Sequence, residues 1–351
     1  MLAAILFLPF EANGISAEHA ILMDASTNRV LYDKNADARS LIASTTKIMT
    51  ALLVCEQCNV LDRVRIPKAA VGVEGSSMYL REGEVITVQE LLYGLMLHSG
   101  NDAAVALATY CGGTVEGFAQ LMNDKAHRLG LTGTHFENPH GLDSPGHYST
   151  ARDMAVLAAY AMKNPIFLQT VSTKTVTAAG RSLRNHNKLL WRVDGADGVK
   201  TGFTKAAGRI LVSSASRQGR RLIAVTMNAP NDWNDHTMLI ENGFKDFSVC
   251  SIVSKGDIVG SVEVAGGDLP NVCLIADEDF SYALASGEQV QTLIQGTGFV
   301  YAPAVKGQFA GYMHICVDGA PVGKVQLIYG DTVEQYKPTK SFWSELFGGD
   351  R

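Results

Sequence analysis

The sequence lacks several features that would each have fixed its class at once. It has no run of lysine or arginine. Its 30 basic and 35 acidic residues leave a formal charge of -5 spread along the chain. No stripe is present to neutralise a phosphate backbone, and nucleic acid is excluded as a partner. No apolar run is long enough to cross a bilayer, because the run at residues 2–10 falls well short of the roughly 20 residues a helix needs. Internal repeats, low-complexity tracts and long linkers are missing, which removes solenoids and disordered chains. The six cysteines, at 55, 58, 111, 250, 273 and 316, are scattered rather than set in a disulfide framework. Cys55 and Cys58 have CxxC spacing, but no second pair or nearby histidine completes a zinc site. They read as two thiols one turn apart on a helix. Cys250, Cys273 and Cys316 can pair if the protein is exported, and the sequence does not choose among them.

What remains is an ordinary globular composition, 46% hydrophobic and 19% charged over 351 residues, enough for two domains with sizeable cores. At the N-terminus the short apolar run is followed by Ala12-Asn13-Gly14, the small-x-small form of a signal-peptidase site, so residues 1–16 read as the end of a secretory signal. No Lys or Arg precedes the run, so the basic region of a signal is missing. A buried first strand or helix is the alternative reading.

Along the chain, "EHAILMDASTNRVLYDKN" has two apolar stretches around a polar turn and predicts a hairpin. A helix begins near Ser44, with Ile48, Ala51, Leu52 and Cys55 on one face. "TVQELLYGLML" and "DAAVALATYCGG" read as helices broken at Ser99-Gly100-Asn101, and further helices fit 115–129 and 151–162. From Gly198 to Ala229, "GVKTGFT", "GRILVSSAS" and "RRLIAVTMNA" predict consecutive antiparallel strands. A helix ending near Gly243 follows. Beyond about Phe247 the texture becomes short β-type runs between Gly, Asp and Pro turns, which marks a separate small all-β domain, a sandwich or barrel.

"LIASTTKIMTAL", residues 41–52, sets Ser44 three places ahead of Lys47. Alone, Ser-x-x-Lys is expected about once by chance in a chain of this length, and a capping serine beside a solvated lysine explains it equally well. At a helix start, however, the i, i+3 spacing brings both side chains to one face, where backbone N–H groups favour developing negative charge. A serine hydroxyl is a weak nucleophile until a base takes its proton. Lysine serves as that base only when its ammonium is destabilised by burial or a second cation. Lys200-Thr201-Gly202, on a predicted strand, offers such a cation, a hydroxyl, and a glycine that leaves room for a ligand backbone. Ser99-Gly100-Asn101 adds a second hydroxyl and an amide.

Ser-x-x-Lys, Ser-x-Asn and Lys-Thr-Gly, in that order, resemble the signature of penicillin-recognising serine enzymes. With Gly100 in the middle motif, the set is similar to that of the low-molecular-mass penicillin-binding proteins, the serine-type D-alanyl-D-alanine carboxypeptidases, rather than class A β-lactamases. "EGSSMYL", "LLYGLMLHSGNDAA", "NPHGLDSPGHYSTARDMA", "NHNKLL" and "DGVKTGFT" carry the resemblance, which spans about residues 17–246. The resemblance implies an α+β fold: a β-lactamase/transpeptidase-like antiparallel sheet flanked by helices over 17–246, then a small β-rich domain over 247–335 and a tail over 336–351.

It further implies that Ser44 is acylated, with Lys47 as general base. Ser99 relays a proton to the leaving D-alanine and Lys200 supports the network. Asn101 holds the penultimate amide, the backbone N–H groups of Ser44 and Phe203 form the oxyanion hole beside Gly202, and Thr201 and Thr204 contact the terminal carboxylate. Some relatives have arginine in the middle of Asn185-His186-Asn187. Here His186 is either a weaker anion contact or a turn histidine. His140, Tyr148 and Arg152 read as structural supports of their loop.

The resemblance implies peptidoglycan stem pentapeptides as substrates, β-lactams as acylating inhibitors, an extracytoplasmic location, and no metal or organic cofactor. In the tail, Phe342, Trp343, Leu346 and Phe347 share one helical face. They suit either a membrane interface or docking on the β domain. Two other functions compete: a β-lactamase, for which no deacylating glutamate is assignable, and a catalytically silent wall-binding or penicillin-sensing protein, against which the intact motifs stand.

Overall fold

The structure is a computed structural model that describes residues 14–296 and 298–337. The apolar run at 2–10 and the tail residues 342–347 lie outside the described residues. The chain divides between Phe247 and Ser248 into two compact units.

The first unit begins with the hairpin β1 (His19–Asp24) and β2 (Val30–Lys34). A 3-10 turn at Ala43–Thr46 runs into α1 (Lys47–Gln57). Then follow β3 (Arg63–Arg65), β4 (Val85–Thr87), α2 (Val88–Leu97), α3 (Asn101–Gly112), α4 (Val115–Arg128), α5 (Ala151–Ala161) and α6 (Pro165–Ser172). The unit closes with β5 (Thr175–Ala178), β6 (Arg181–Arg184), β7 (Ala196–Thr204), β8 (Gly208–Arg217), β9 (Arg220–Met227) and α7 (Asp232–Asp246). Five strands form one antiparallel sheet in the order β2-β1-β9-β8-β7, which leaves β7 at an edge.

Helix starts follow local chemistry. Thr87 caps α2 in a full capping box with Glu90, Thr150 caps α5, and Asn164 caps α6 ahead of Pro165. Side-chain alternation splits the sheet between two layers. Ile21, Met23, Ile223 and Val225 join the main helical core, while Leu22 and Leu222 meet Gly243 of α7 on the other face.

Helix α1 departs from the expected one-sided pattern. Every residue from Lys47 to Cys55 is buried, because α1 packs against α2, α3, α4, α5 and α6 as well as β7. A helix enclosed on all sides has no face left to be polar. The sequence also gave no sign of the short pieces β3, β4, β5, β6 and α6, whose runs are too brief for periodicity to register.

The second unit holds β10 (Phe247–Val253), β11 (Ile258–Ala265), β12 (Asn271–Ala276), β13 (Phe280–Ala285), β14 (Val290–Gln295), β15 (Phe299–Tyr301), β16 (Phe309–Val317) and β17 (Ala320–Tyr329). Six strands make one sheet, β14-β16-β17-β12-β11-β15, and β10 pairs with β13. Val262, Val264, Leu274, Ile315, Val325 and Leu327 form its core. All six cysteines are free thiols. Cys273 on β12 and Cys316 on β16 flank β17, so about two strand spacings separate them, beyond the reach of a disulfide. The pairing open to them in sequence is not formed.

Candidate active site

The segment carrying Ser44 is held in an uncommon backbone. Ala43, just before it, has φ +44°, and Ser99 has φ +64°. Non-glycine residues adopt this region only when their surroundings impose it, and such residues gather at functional sites. Two glycines make the enclosure possible. A Cβ on Gly141 would stand 1.8 Å from the Ala43 carbonyl oxygen, and one on Gly202 would stand 3.2 Å from Ile42 O and 3.3 Å from Ser44 N. Gly202 therefore leaves room first for the chain's own Ala43-Ser44 backbone, letting β7 lie against it. Thr46 locks the turn from beneath. Its Oγ1 donates to Ala43 O at 2.8 Å and lies 2.7 Å from His147 Nε2. Because His147 Nδ1 accepts from the Glu137 N–H at 3.0 Å, Nε2 carries the proton and donates to Thr46. Burial pushes His147 down to about 4, so the ring is neutral near neutrality.

Lys47, the first residue of α1, is wholly buried. Its Nζ lies 3.0 Å from Ser44 Oγ, 2.7 Å from Asn101 Oδ1 and 2.6 Å from His140 O. Asn101 Nδ2 donates to Glu74 O at 2.5 Å, which fixes its oxygen toward the lysine. Two of the three neighbours of Nζ are thus carbonyl oxygens, which only accept. A neutral amine has two N–H bonds for them, and its lone pair is left facing the only neighbour that can donate, the Ser44 hydroxyl. Burial first, and the Lys200 charge second, hold Lys47 well below the ordinary lysine value, with Asp102 opposing. Lys200, also buried, donates to Thr201 O at 2.8 Å and is pulled down to about 7 by burial.

Ser44, Ser99, His186, Thr201, Gly202 and Phe203 line one open cleft of about 330 Å³, with Lys47, Lys200 and Asn101 buried behind or beside it. Thr204 is turned away from this group. Its hydroxyl donates to Asp143 at 3.0 Å and accepts from the Ala207 N–H at 3.0 Å. His186 is pushed down to about 4, by desolvation and then by Lys200 and His98, so it meets an anion uncharged. Tyr148 and Arg152 face outward from the cleft, toward Arg39 and toward Asp33 and Asp37 respectively. His140 contributes its backbone carbonyl to Lys47.

Sequence reasoning missed three contributors. Asp102, buried, accepts from Ser77 Oγ and from the N–H groups of Met78, Leu80 and Ala103, which pins the 76–80 loop beside Asn101. Lys188 and Arg209 bring cations to the cleft wall, each 5.8 Å from the Trp233 ring, and Arg209 pairs with Asp232 at 2.8 Å. The adjacency of Asp102 to Asn101 was the available signal for the first. Lys188 lies in the "NHNKLL" stretch without having been singled out there, and nothing local marked Arg209.

Residues 9–231 match the family described as D-alanyl-D-alanine carboxypeptidase, and residues 247–335 match the penicillin-binding protein 5 C-terminal domain. The chain is 35% identical to D-alanyl-D-alanine carboxypeptidase DacF of Bacillus subtilis, over 86% of this chain and 82% of that protein. It is also 35% identical to DacC of Escherichia coli, over 93% and 86%. Penicillin-binding protein 5 from Haemophilus influenzae superposes with a TM-score of 0.81 at 32% identity, covering 92% of this chain and 98% of that one.

Proposed function

The chain belongs to the D-alanyl-D-alanine carboxypeptidase family, and on that premise we propose that it removes the terminal D-alanine from peptidoglycan stem pentapeptides through an acyl-enzyme on Ser44. The observation that carries the reading is the Lys47 amine, whose two carbonyl partners leave its lone pair for the Ser44 hydroxyl.

In the first step Lys47 Nζ takes the Ser44 proton as Oγ adds to the carbonyl of the penultimate D-alanine. The N–H groups of Ser44 and Phe203 receive the oxyanion. Ser99, with Lys200 behind it, relays the proton that Lys47 took from Ser44 on to the leaving amine, so free D-alanine departs and Lys47 is neutral again. Water then adds to the ester, Lys47 serves again as base, and Ser44 regains its proton, so the sum is hydrolysis of one peptide bond. Asn101 keeps one N–H for the substrate amide after donating the other to Glu74 O. The terminal carboxylate meets Thr201, supported by Lys188 and Arg209 on the cleft wall rather than by neutral His186. Thr204 serves that contact by supporting the turn through Ala207 N. A β-lactam acylates Ser44 by the same first step.

The site is extracytoplasmic, where peptidoglycan is built. The assignment of residues 1–16 as a signal and of 336–351 as a weak interfacial anchor completes this reading. No described helix is long and apolar enough to cross a membrane.

The test is release of D-alanine from a diacyl-Lys-D-Ala-D-Ala peptide, with labelled penicillin as a second reporter. Ser44→Ala should abolish both, and a C-terminally amidated peptide should turn over about tenfold more slowly because its charge-assisted contacts are lost. Label persisting on Ser44→Ala would reject the assignment.

A further inference from the structure

From Ser182 to Leu189 the chain alternates residue by residue: Leu183, Asn185, Asn187 and Leu189 are buried, while Ser182, Arg184, His186 and Lys188 are exposed. The two asparagines hold that alternation in place. Asn185 Nδ2 donates to Val171 O and Thr173 O, each at 3.0 Å, and Asn187 Nδ2 donates to Gly198 O at 2.7 Å. The His186 N–H donates to Leu97 O at 3.2 Å, which ties the segment to the end of α2, and the His186 ring lies 5.3 Å from the His98 ring. The four exposed side chains, with His98 and Trp191, line a cavity of about 600 Å³. It shares His186 and Lys188 with the catalytic cleft, so His186 stands where the two spaces meet.

The cavity carries charge of one sign. Arg184 lies 5.2 Å and Lys174 5.8 Å from the centre of the Trp191 ring, Lys188 is the third cation, and no aspartate or glutamate lines the walls. Among the described residues, none of the three cations pairs with a carboxylate. Cations that share a cavity without an acid favour an anionic occupant. The Trp191 ring holds the Arg184 guanidinium over its face, which leaves the guanidinium N–H groups to donate into the cavity.

We propose that this cavity receives the side chain of the departing C-terminal D-residue and selects for acidic ones, an inference that rests on the carboxypeptidase reading of Ser44. In that reading the terminal carboxylate meets Thr201 with Lys188 on the wall, and Lys188 borders both spaces. The leaving residue is therefore the part of the substrate nearest the cavity. The methyl group of D-alanine is too short to enter it, whereas the longer side chain of D-glutamate passes His186 and brings its carboxylate to Arg184 and Lys174. The reaction itself is unchanged. The bond from the penultimate carbonyl to the leaving nitrogen breaks, the relayed proton goes to that amine, and water hydrolyses the ester on Ser44, so only the amino acid released differs.

The test compares diacyl-Lys-D-Ala peptides extended by D-Ala, D-Glu or D-Gln, and measures kcat/KM from the amino acid released. D-Glu and D-Gln match in shape and differ by one charge. The full chain should release D-glutamate about tenfold faster than D-glutamine, and the ratio should shrink as NaCl is raised. Arg184→Gln should cut the ratio to about threefold, and Lys174→Gln combined with Arg184→Gln should bring it below about twofold. Both side chains are exposed, so the fold is not at stake, and D-alanine release should stay within about twofold throughout. The proposal is overturned if the wild-type protein releases D-glutamate no faster than D-glutamine. It is also overturned if the ratio survives in the double variant, which would credit the cations of the catalytic cleft alone. Release of none of the three amino acids would instead reject the carboxypeptidase reading on which the proposal rests.

Discussion

The two units bury different kinds of side chain. Among the described residues, every buried polar or charged group lies between Asp24 and His236, whereas the core of the β unit is Val262, Leu274, Ile315, Val325 and their apolar neighbours. A buried lysine is costly unless it sheds its proton or finds partners, and the first unit holds three: Lys125, paired with Glu56 at 2.7 Å, and Lys47 and Lys200 at the cleft. The enclosure of α1, whose first residue is Lys47, drives that lysine toward its neutral form, and its contacts with Asn101 and His140 O satisfy the amine. The comparison teaches where chemistry sits: the unit with the stranded polar groups is the one organised around a reaction, and the all-apolar core has no such group to spend.

The sharpest way to break this contrast is to leave a lysine-like charge in place but remove its ability to lose a proton. Lys47→Arg should lower penicillin acylation and D-alanine release by roughly 10³-fold, since guanidinium stays protonated and cannot act as base. Near-normal turnover in that variant, measured under single-turnover conditions, would put the base elsewhere.

The opposite intervention belongs to the β unit. Ile315 is fully buried there, and Ile315→Ala should cost about 2–5 kcal/mol of stability in a urea titration of that unit's transition. Acylation of Ser44 by the folded protein should not change. A fall in acylation rate before any loss of folded protein would show that the two cores are not chemically separate.

A smaller effect is expected at the tail, where deletion of residues 340–351 should remove weak, reversible co-sedimentation with anionic vesicles and leave hydrolysis of a soluble peptide unaltered. Loss of peptide hydrolysis would reassign the tail to the folded β unit.

The same contrast explains what the sequence revealed. Motif residues on long, strongly patterned elements were legible: Ser44 and Lys47 at the start of α1, Ser99 and Asn101 at the break before α3, and Lys200 to Phe203 on β7. Spacing also suggested that Ser44 and Lys47 face each other, which their 3.0 Å separation matches. Contacts made across the fold were not legible. His140 supplies a backbone carbonyl, which no side-chain pattern records. The chain from His147 through Thr46 to Ala43 joins segments 101 residues apart. Lys188 and Arg209 gain meaning only from the cleft they share. Thr204 was placed on the right strand, but its hydroxyl is drawn to Asp143 and the turn.

The most direct test of the central claim, that Lys47 is a neutral base aimed at Ser44, is the pH profile of single-turnover acylation by a labelled penicillin. A base must be unprotonated to act, so the rate should rise with pH through a limb set well below the ordinary lysine value of 10.5, as burial and then Lys200 dictate, and level off above it. In Lys200→Ala the lost positive charge should let Lys47 hold its proton longer and move the limb to higher pH. A flat profile, or a wild-type limb at the ordinary lysine value, would contradict the account.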